Sequence, residues 1–312
     1  MHVLITGING YAGFHAALAF SAAGHTVEGI TRDASNPRLD ELRRHQVKII
    51  TGDIAKPSDW ANAIDRADIF LHTVMDHSDP VGSDRALFKV LNNPVGRTKA
   101  PLRFIYTTGC SIHGKVPQLI MDESTGANPD HVLAFRLSLE TEVLAIKSVR
   151  TVVVRPGFMY GCDGQNSMAA RWFAMAGDEP FVFRGDREKG WSWVHIADLA
   201  RAYVLVAEAN RAIDGEVFCL ADEQRLKVID VMQACLNVAE HKTGLVFGDR
   251  TEADLSCTWF DQNEFITSAK ARRILGWVPN HTGVIDTISA FYGSWSAANA
   301  KSDVLQKGAV HV

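Results

Sequence analysis

The sequence predicts an α/β fold: a doubly wound parallel sheet with helices on both faces, followed by a smaller C-terminal lobe. Three features predict it. Short, almost wholly apolar runs alternate with helical stretches through the first half, as strands buried on both faces require. The first run ends in a glycine-rich turn that passes straight into a helix. After Pro156 the alternation lapses, so the rest of the chain belongs largely to a less regular unit.

His2–Thr6 reads as the first strand, Tyr11–Ala23 as an alanine-rich helix and Thr26–Thr31 as the second strand. A helix around Leu39–His45, a strand at Val47–Thr51 and a short helix near Trp60–Ile64 follow. The fourth strand, Ala67–Thr73, is nearly all apolar, and a helix around Arg85–Leu91 leads to the strand Arg103–Thr107. A long helix near Val132–Lys147 precedes the strand Thr151–Arg155. Beyond it, helices are expected at Ser167–Ala176, Ile196–Ala209, Val228–Ala239, Ser268–Leu275 and Val284–Ala298. Strand-like pieces lie between them at Pro180–Phe183 and Glu216–Leu220, and the polar tail after Ala300 is expected to fray.

The chain has 312 residues, 46% of them hydrophobic and 22% charged, which is enough material for a large buried core. Its net charge of −4 argues against a nucleic-acid partner. No apolar run approaches the roughly 18 residues that span a bilayer, and the first residues show no basic region followed by an apolar stretch, so secretion is not expected. The five cysteines are scattered and lack CxxC spacing, as expected of reduced thiols in a cytoplasmic protein.

The turn after the first strand reads Thr6-Gly7-Ile8-Asn9-Gly10-Tyr11-Ala12-Gly13-Phe14. Gly7 permits the tight turn, Gly10 lets backbone approach a diphosphate, and Gly13 lets helix and strand pack closely. The helix start then offers free N–H groups and a positive dipole to phosphate. This is a Rossmann-like dinucleotide site with GxxGxxG spacing. The second strand ends in Thr31-Arg32-Asp33. An acidic residue there suits the ribose hydroxyls of NAD, whereas Arg32 suits a 2′-phosphate, so NADP(H) is favoured over NAD(H). The third strand ends in Gly52-Asp53-Ile54, which places a carboxylate and an N–H for an adenine edge; Asp53 serves equally well as a helix cap.

Several separated segments together resemble the extended short-chain dehydrogenase/reductase family, which includes NAD-dependent epimerases and dehydratases. They are Thr6–Phe14, Gly52-Asp53-Ile54, Phe104–Gly109, Val154–Gly161, Trp191–Ala200 and Ala269–Pro279. The Arg155-Pro156-Gly157…Tyr160-Gly161 and Trp191-Ser192-Trp193-Val194-His195…Asp198-Leu199-Ala200 blocks are the most specific. The resemblance implies an NAD(P)-binding domain over residues 1–160 and about 191–222, a substrate lobe over 161–190 and 223–299, and a tail over 300–312. It implies cofactor contacts from Gly7, Asn9, Gly10, Tyr11, Gly13, Arg32, Asp53, Ile54, His72 and Pro156. By the same analogy the chain pairs as a homodimer.

The family's hydride-transferring members carry Tyr-x-x-x-Lys on the long helix, where the Lys lowers the Tyr pKa. None of the five tyrosines here has Lys four residues later. The resemblance puts Phe135 and Leu139 at those two positions, and Gly109 at that of the assisting Ser/Thr. Substitutes must come from elsewhere. Arg136 and Glu140 lie four apart on one helix, as substrate-orienting groups or as a surface ion pair. Thr108, Ser111 and His113 follow the fifth strand at its carboxyl end, where ligands of open α/β sheets sit. His113 is either an acid or a packed loop residue, and Tyr160 has either a packing or a hydroxyl role. Asp198 reads as a structural tie. His72, Asp76, His77 and Asp79 have no metal-site spacing and read as a polar loop. Trp172, Trp191 and Trp193 belong to the core or to a pocket wall.

The resemblance implies chemistry on a carbonyl, alcohol or sugar-like substrate, and the chain is read as an NADP(H)-dependent oxidoreductase acting on a small carbonyl or alcohol. The alternatives are an isomerase, epimerase or dehydratase on the same scaffold, and a non-catalytic NADP(H)-sensing module.

Overall fold

A computed structural model describes residues 1–93, 101–177, 179–209, 213–281 and 283–308. The first half runs β1 (His2–Thr6), α1 (Tyr11–Ala22), β2 (Thr26–Thr31), α2 (Leu39–Arg44), β3 (Lys48–Thr51), α3 (Ala61–Arg66) and β4 (Ile69–His72). It continues with α4 (Pro80–Asn92), β5 (Arg103–Thr107), α5 (Phe135–Leu144), β6 (Arg150–Pro156) and β7 (Phe158–Tyr160). Next come α6 (Met168–Ala174), β8 (Phe181–Phe183), β9 (Gly190–Trp191), β10 (Trp193–His195), α7 (Ile196–Glu208), β11 (Val217–Leu220) and β12 (Leu226–Lys227). The chain ends with α8 (Val228–Val238), β13 (Leu245–Phe247), α9 (Leu255–Thr258), α10 (Ala269–Leu275) and α11 (Ile288–Gly308).

Seven parallel strands form the main sheet in the order β11-β6-β5-β4-β1-β2-β3. The order reverses between β1 and β4, which opens a crevice at the strands' carboxyl ends. Side chains alternate between two apolar layers. Val3, Ile5, Ile105, Val152 and Val154 pack with α1 and α7, while Leu4, Phe104, Tyr106 and Val153 pack with α3, α4 and α5. Both faces are therefore core, which is why these strands read as unbroken apolar runs. Each such side chain contributes roughly 1.5–3 kcal/mol on burial.

Several expected boundaries move. The helix expected around Arg85–Leu91 starts at Pro80, because Asp79 caps it by accepting from the Gly82 N–H at 2.8 Å and Pro80 presets the first helical φ. The short helix near Trp60 is a 3₁₀ turn, Pro57–Trp60, running into α3. The last helix begins at Ile288 rather than Val284, and it runs through the expected frayed tail to Gly308. Residues 309–312 lie outside the described residues.

The second lobe has its own apolar cluster, in which α6 and α8 pack against β8, β9 and β10. Trp172, Trp191 and Trp193 lie within it, with Trp172 and Trp191 stacked at 6.1 Å between ring centres. These tryptophans are core. The segment around 191–195, expected with the sheet domain, thus contributes its aromatic side chains to the smaller lobe. No described helix is long and apolar enough to cross a membrane.

Candidate active site

The turn between β1 and α1 is closed by a hydrogen bond from the Gly10 N–H to the Gly7 carbonyl at 2.8 Å. Gly7 has φ +73°, and a Cβ on Gly13 would stand 2.2 Å from the Gly7 carbonyl oxygen. Only glycine lets helix and turn approach so closely. The N-cap of α1 is Gly10, with no side chain capping the helix and no acidic residue in its first turn. Its first N–H groups are therefore left for an external anion. This cradle fits a dinucleotide diphosphate. Asn9 lies half-buried in the turn, and the Tyr11 hydroxyl donates to the Gly161 carbonyl at 2.5 Å, tying α1 to the loop after β7.

At the end of β2, Arg32 is exposed, and no hydrogen bond or ion pair engages its side chain among the described residues. The adjacent Asp33 is occupied: its Oδ1 accepts from the Ser35 N–H and hydroxyl, and these bonds hold its pKa below the usual carboxylate range. The side chain free to meet a phosphate is the cation. Asp53 folds into its own turn, accepting from the Ala55 N–H at 3.0 Å, and Ile54 beside it is half-buried.

A cavity of about 470 Å³ opens at the carboxyl ends of the strands and reaches from Tyr11 and Ala12 to the second lobe. Val74, Met75, Ile112, Leu133, Phe158, Met159, Met168, Trp259 and Phe260 make its wall largely apolar. Pro156, Thr108, Ser111 and Arg136 also line it, with Arg171, Gln165 and Asn166 toward the second lobe. Three of the five expected catalytic residues thus share one cavity. Trp259, Phe260 and Arg171 carried no local signal in the sequence.

Arg136 and Glu140 do not pair with each other. Arg136 is buried and donates to the Thr107 carbonyl at 3.0 Å. Glu140 takes a bidentate bond from Arg155, with Nη2 at 2.6 Å and Nε at 3.1 Å, and a further one from the Thr108 hydroxyl at 2.5 Å. The surface ion pair is replaced by a buried strut between α5 and β6, because the Arg155 fork matches a carboxylate better than a helical neighbour does. Leu139 packs in the apolar layer shared by α3, α4 and α5, so on this helix it is Arg136 that faces the cavity.

Three expected site residues lie elsewhere. His113 is fully buried, and its Nδ1–H donates to the Gly126 carbonyl at 3.1 Å; burial lowers its pKa and keeps the ring neutral. It stands behind the cavity wall as a packed loop residue. The Tyr160 hydroxyl accepts from the Gly283 N–H at 3.2 Å within the second-lobe core, and burial raises its pKa. Tyr160 has a packing role. His72 is buried between the Thr6 hydroxyl at 2.8 Å and Asp84 at 3.3 Å and does not line the cavity. Burial favours a protonated Asp84, but the His72 and Tyr106 bonds and the nearby Arg136 prevail and lower its pKa.

Asp198 accepts from the Asn280 and His281 N–H groups at 3.0 Å each, which ties the start of α7 to the loop before α11. His195, Asp198 and His281 cluster closely enough for a metal ion. The Asp198 oxygens accept from four donors, the His281 ring and Arg201 among them. Asp76 and Asp79 are likewise turned into their own loop, toward Ser78, Ser83 and Gly82.

The family model described as "NAD dependent epimerase/dehydratase family" matches residues 3–221. The human short-chain dehydrogenase/reductase family 42E member 1 is 29% identical over 245 residues, covering 69% of this chain and 60% of that protein. UDP-glucose 4-epimerase of Corynebacterium glutamicum is 29% identical over 117 residues, covering 38% of this chain and 34% of that protein. The chain therefore spans less than two thirds of the length of these relatives. Among solved structures, UDP-glucuronic acid 4-epimerase from Bacillus cereus, in complex with UDP-glucuronic acid and NAD, superposes with a TM-score of 0.78 at 17% identity, covering 96% of this chain and all of that one. UDP-glucose 4-epimerase from Thermotoga maritima gives 0.77 at 16% identity, covering 96% and 99%. At such identities the likeness is one of fold.

Proposed function

Because the chain belongs to the NAD-dependent epimerase/dehydratase family, we propose that it is an enzyme: an NADP(H)-dependent oxidoreductase for a small, largely apolar carbonyl or alcohol substrate. The observation that carries this reading is the cavity, which joins the diphosphate cradle to a wall of Leu133, Met168, Phe158, Trp259 and Phe260. Such a wall suits a substrate with an apolar body whose polar groups meet Thr108, Ser111 and Arg136 on one side and Gln165, Asn166 and Arg171 on the other.

A bound nicotinamide supplies hydride exchange. The residues expected to hold the dinucleotide are Gly7, Asn9, Gly10, Tyr11, Gly13, Arg32, Asp53, Ile54 and Pro156. Arg136, fixed by the Thr107 carbonyl, presents a permanent cation to a substrate oxygen that gains negative charge. Thr108 and Ser111 offer hydroxyls beside it. Thr108 already gives its proton to Glu140, which leaves Ser111 as the donor for the substrate.

The test is NADPH consumption with a panel of aldehydes and ketones of graded apolar size. Steady consumption supports the reading. Substrate conversion with no net change in nicotinamide absorbance would instead favour an epimerase or dehydratase, the activity for which the family is named. Arg136→Leu is expected to lower kcat/KM about a hundredfold, the usual loss on removing one oxyanion partner, with the melting temperature monitored in parallel. Arg32→Ala is expected to weaken NADPH binding about tenfold or more while NADH binding changes little. Isothermal titration with both cofactors checks it, and equal weakening would assign the preference elsewhere.

A further inference from the structure

Behind Ser111 lies a carboxyl that nothing above uses. Glu264 is fully buried. Its Oε1 accepts from the Gln262 amide at 2.5 Å, while Oε2 is buried without a well-formed hydrogen bond. Its other polar neighbours are the Ser111 hydroxyl and the Cys110 thiol. Its segment is clamped there. The Glu264 N–H donates to the Gly190 carbonyl at 2.8 Å, the Glu264 carbonyl accepts from the Ser192 N–H at 3.2 Å, and Ile266 packs with Cys110 and Met121. Ser111 itself lines the cavity. A chain of two groups therefore leads from a sealed carboxyl to the place where substrate chemistry is proposed.

We propose that Glu264 is the positioning and proton-holding partner of Ser111, resupplying through that hydroxyl the proton a substrate oxygen takes up. The inference rests on the reading of Ser111 given above. Burial pushes the Glu264 pKa up to about 8, against the Gln262 hydrogen bond and the neighbouring Ser111 and Cys110 that pull it down, and no cation is among the groups acting on it. At neutral pH it is the acid, with an Oε2–H to give and the Ser111 oxygen able to accept while donating onward. When a carbonyl carbon accepts hydride from reduced nicotinamide, its oxygen must gain a proton. The Ser111 O–H supplies it, the Glu264 O–H replaces it on Ser111, and the carboxylate left behind regains a proton from solvent through Ser111 once the product has left the cavity. Alcohol oxidation runs the same chain in reverse. The role lost with Tyr-x-x-x-Lys is thereby filled from the second lobe.

Glu264→Gln keeps the shape but cannot release a proton. It is expected to lower kcat for carbonyl reduction about tenfold to a hundredfold with KM nearly unchanged. Wild-type kcat should fall as pH rises through about 8, where the acid form is lost, and the variant should lack that limb. Two readouts need no turnover. Folded Glu264 keeps its proton to about pH 8, and the unfolded chain only to about 4.5. Wild-type stability should therefore fall relative to Glu264→Gln as pH rises across that window and run parallel above it. Infrared difference spectra should show a protonated carboxyl in the wild type that vanishes above about pH 8 and is absent from the variant. Wild-type kcat with an intact alkaline limb in the variant would overturn the relay. A flat stability difference with no protonated-carboxyl band would overturn the proton store itself. If the wild type reduces no carbonyl, the proposed reaction fails and the relay with it, whatever the infrared band shows.

Discussion

Glu140→Ala is expected to destabilise the protein by about 3–5 kcal/mol, because it leaves Arg155 as an uncompensated buried cation. Both side chains of the pair are almost fully buried, at 3% and 2% exposure. A domain is commonly stable by only about 5–15 kcal/mol, so the variant should sit close to unfolding at ambient temperature. Replacing both partners together, Glu140→Met with Arg155→Met, is expected to recover much of the loss, since two apolar side chains of similar length need no partner. Urea denaturation of the wild type, the single variant and the double variant measures the coupling. Additive losses would mean that the pair is not a unit. Activity should not recover in the double variant, because Thr108 also loses its acceptor in Glu140 and the cavity wall is freed to move.

Gly13→Val is expected to weaken cofactor binding severely. A Cβ at this position meets the Gly7 carbonyl oxygen at 2.2 Å and the Gly7 carbonyl carbon at 2.8 Å, both backbone atoms that no side-chain rotation can move aside. Helix α1 must then shift away from the turn, carrying its N-terminal N–H groups off the diphosphate position. The overpacking costs about 1–3 kcal/mol of stability. Affinity for NADPH should fall by about a hundredfold or more, equivalent to about 3 kcal/mol. Equilibrium binding on the folded variant, followed by nucleotide fluorescence, is the check. Undiminished affinity would mean that the diphosphate does not rest on this helix.

The sheet and the phosphate turn were legible in the sequence because both are local. A strand buried on two faces is apolar through its middle, as β1 is at residues 3–5, β4 at 69–71, β5 at 104–106 and β6 at 152–154. Gly7, Gly10 and Gly13 bracket a turn whose geometry follows from their own backbone freedom. The start of α4 is equally local, since the Asp79 cap and Pro80 rather than the apolar residues further along set it. What escaped the sequence was pairing at a distance. The spacing of Arg136 and Glu140 fits a helical ion pair, but spacing says nothing of Arg155 on the next strand, whose planar fork outcompetes a neighbour four residues away. Tyr160 and His113 follow strands at the catalytic end of the sheet, and only packing decides that their polar atoms turn into the core. Glu264 offered a faint signal. It alternates with Ile266, so the two share a buried face, and a carboxylate there demands an explanation that only the facing turn at Cys110–Ile112 supplies.

The proposed function requires a dinucleotide seated against the first turn of α1 with its 2′-phosphate near Arg32. Calorimetric titration of the purified chain with NADPH, NADP⁺, NADH and NAD⁺ addresses this most directly. Saturable one-site binding is expected, tighter for the phosphorylated pair. The absence of binding heat with all four, under conditions where a melting-temperature shift is also absent, would contradict it.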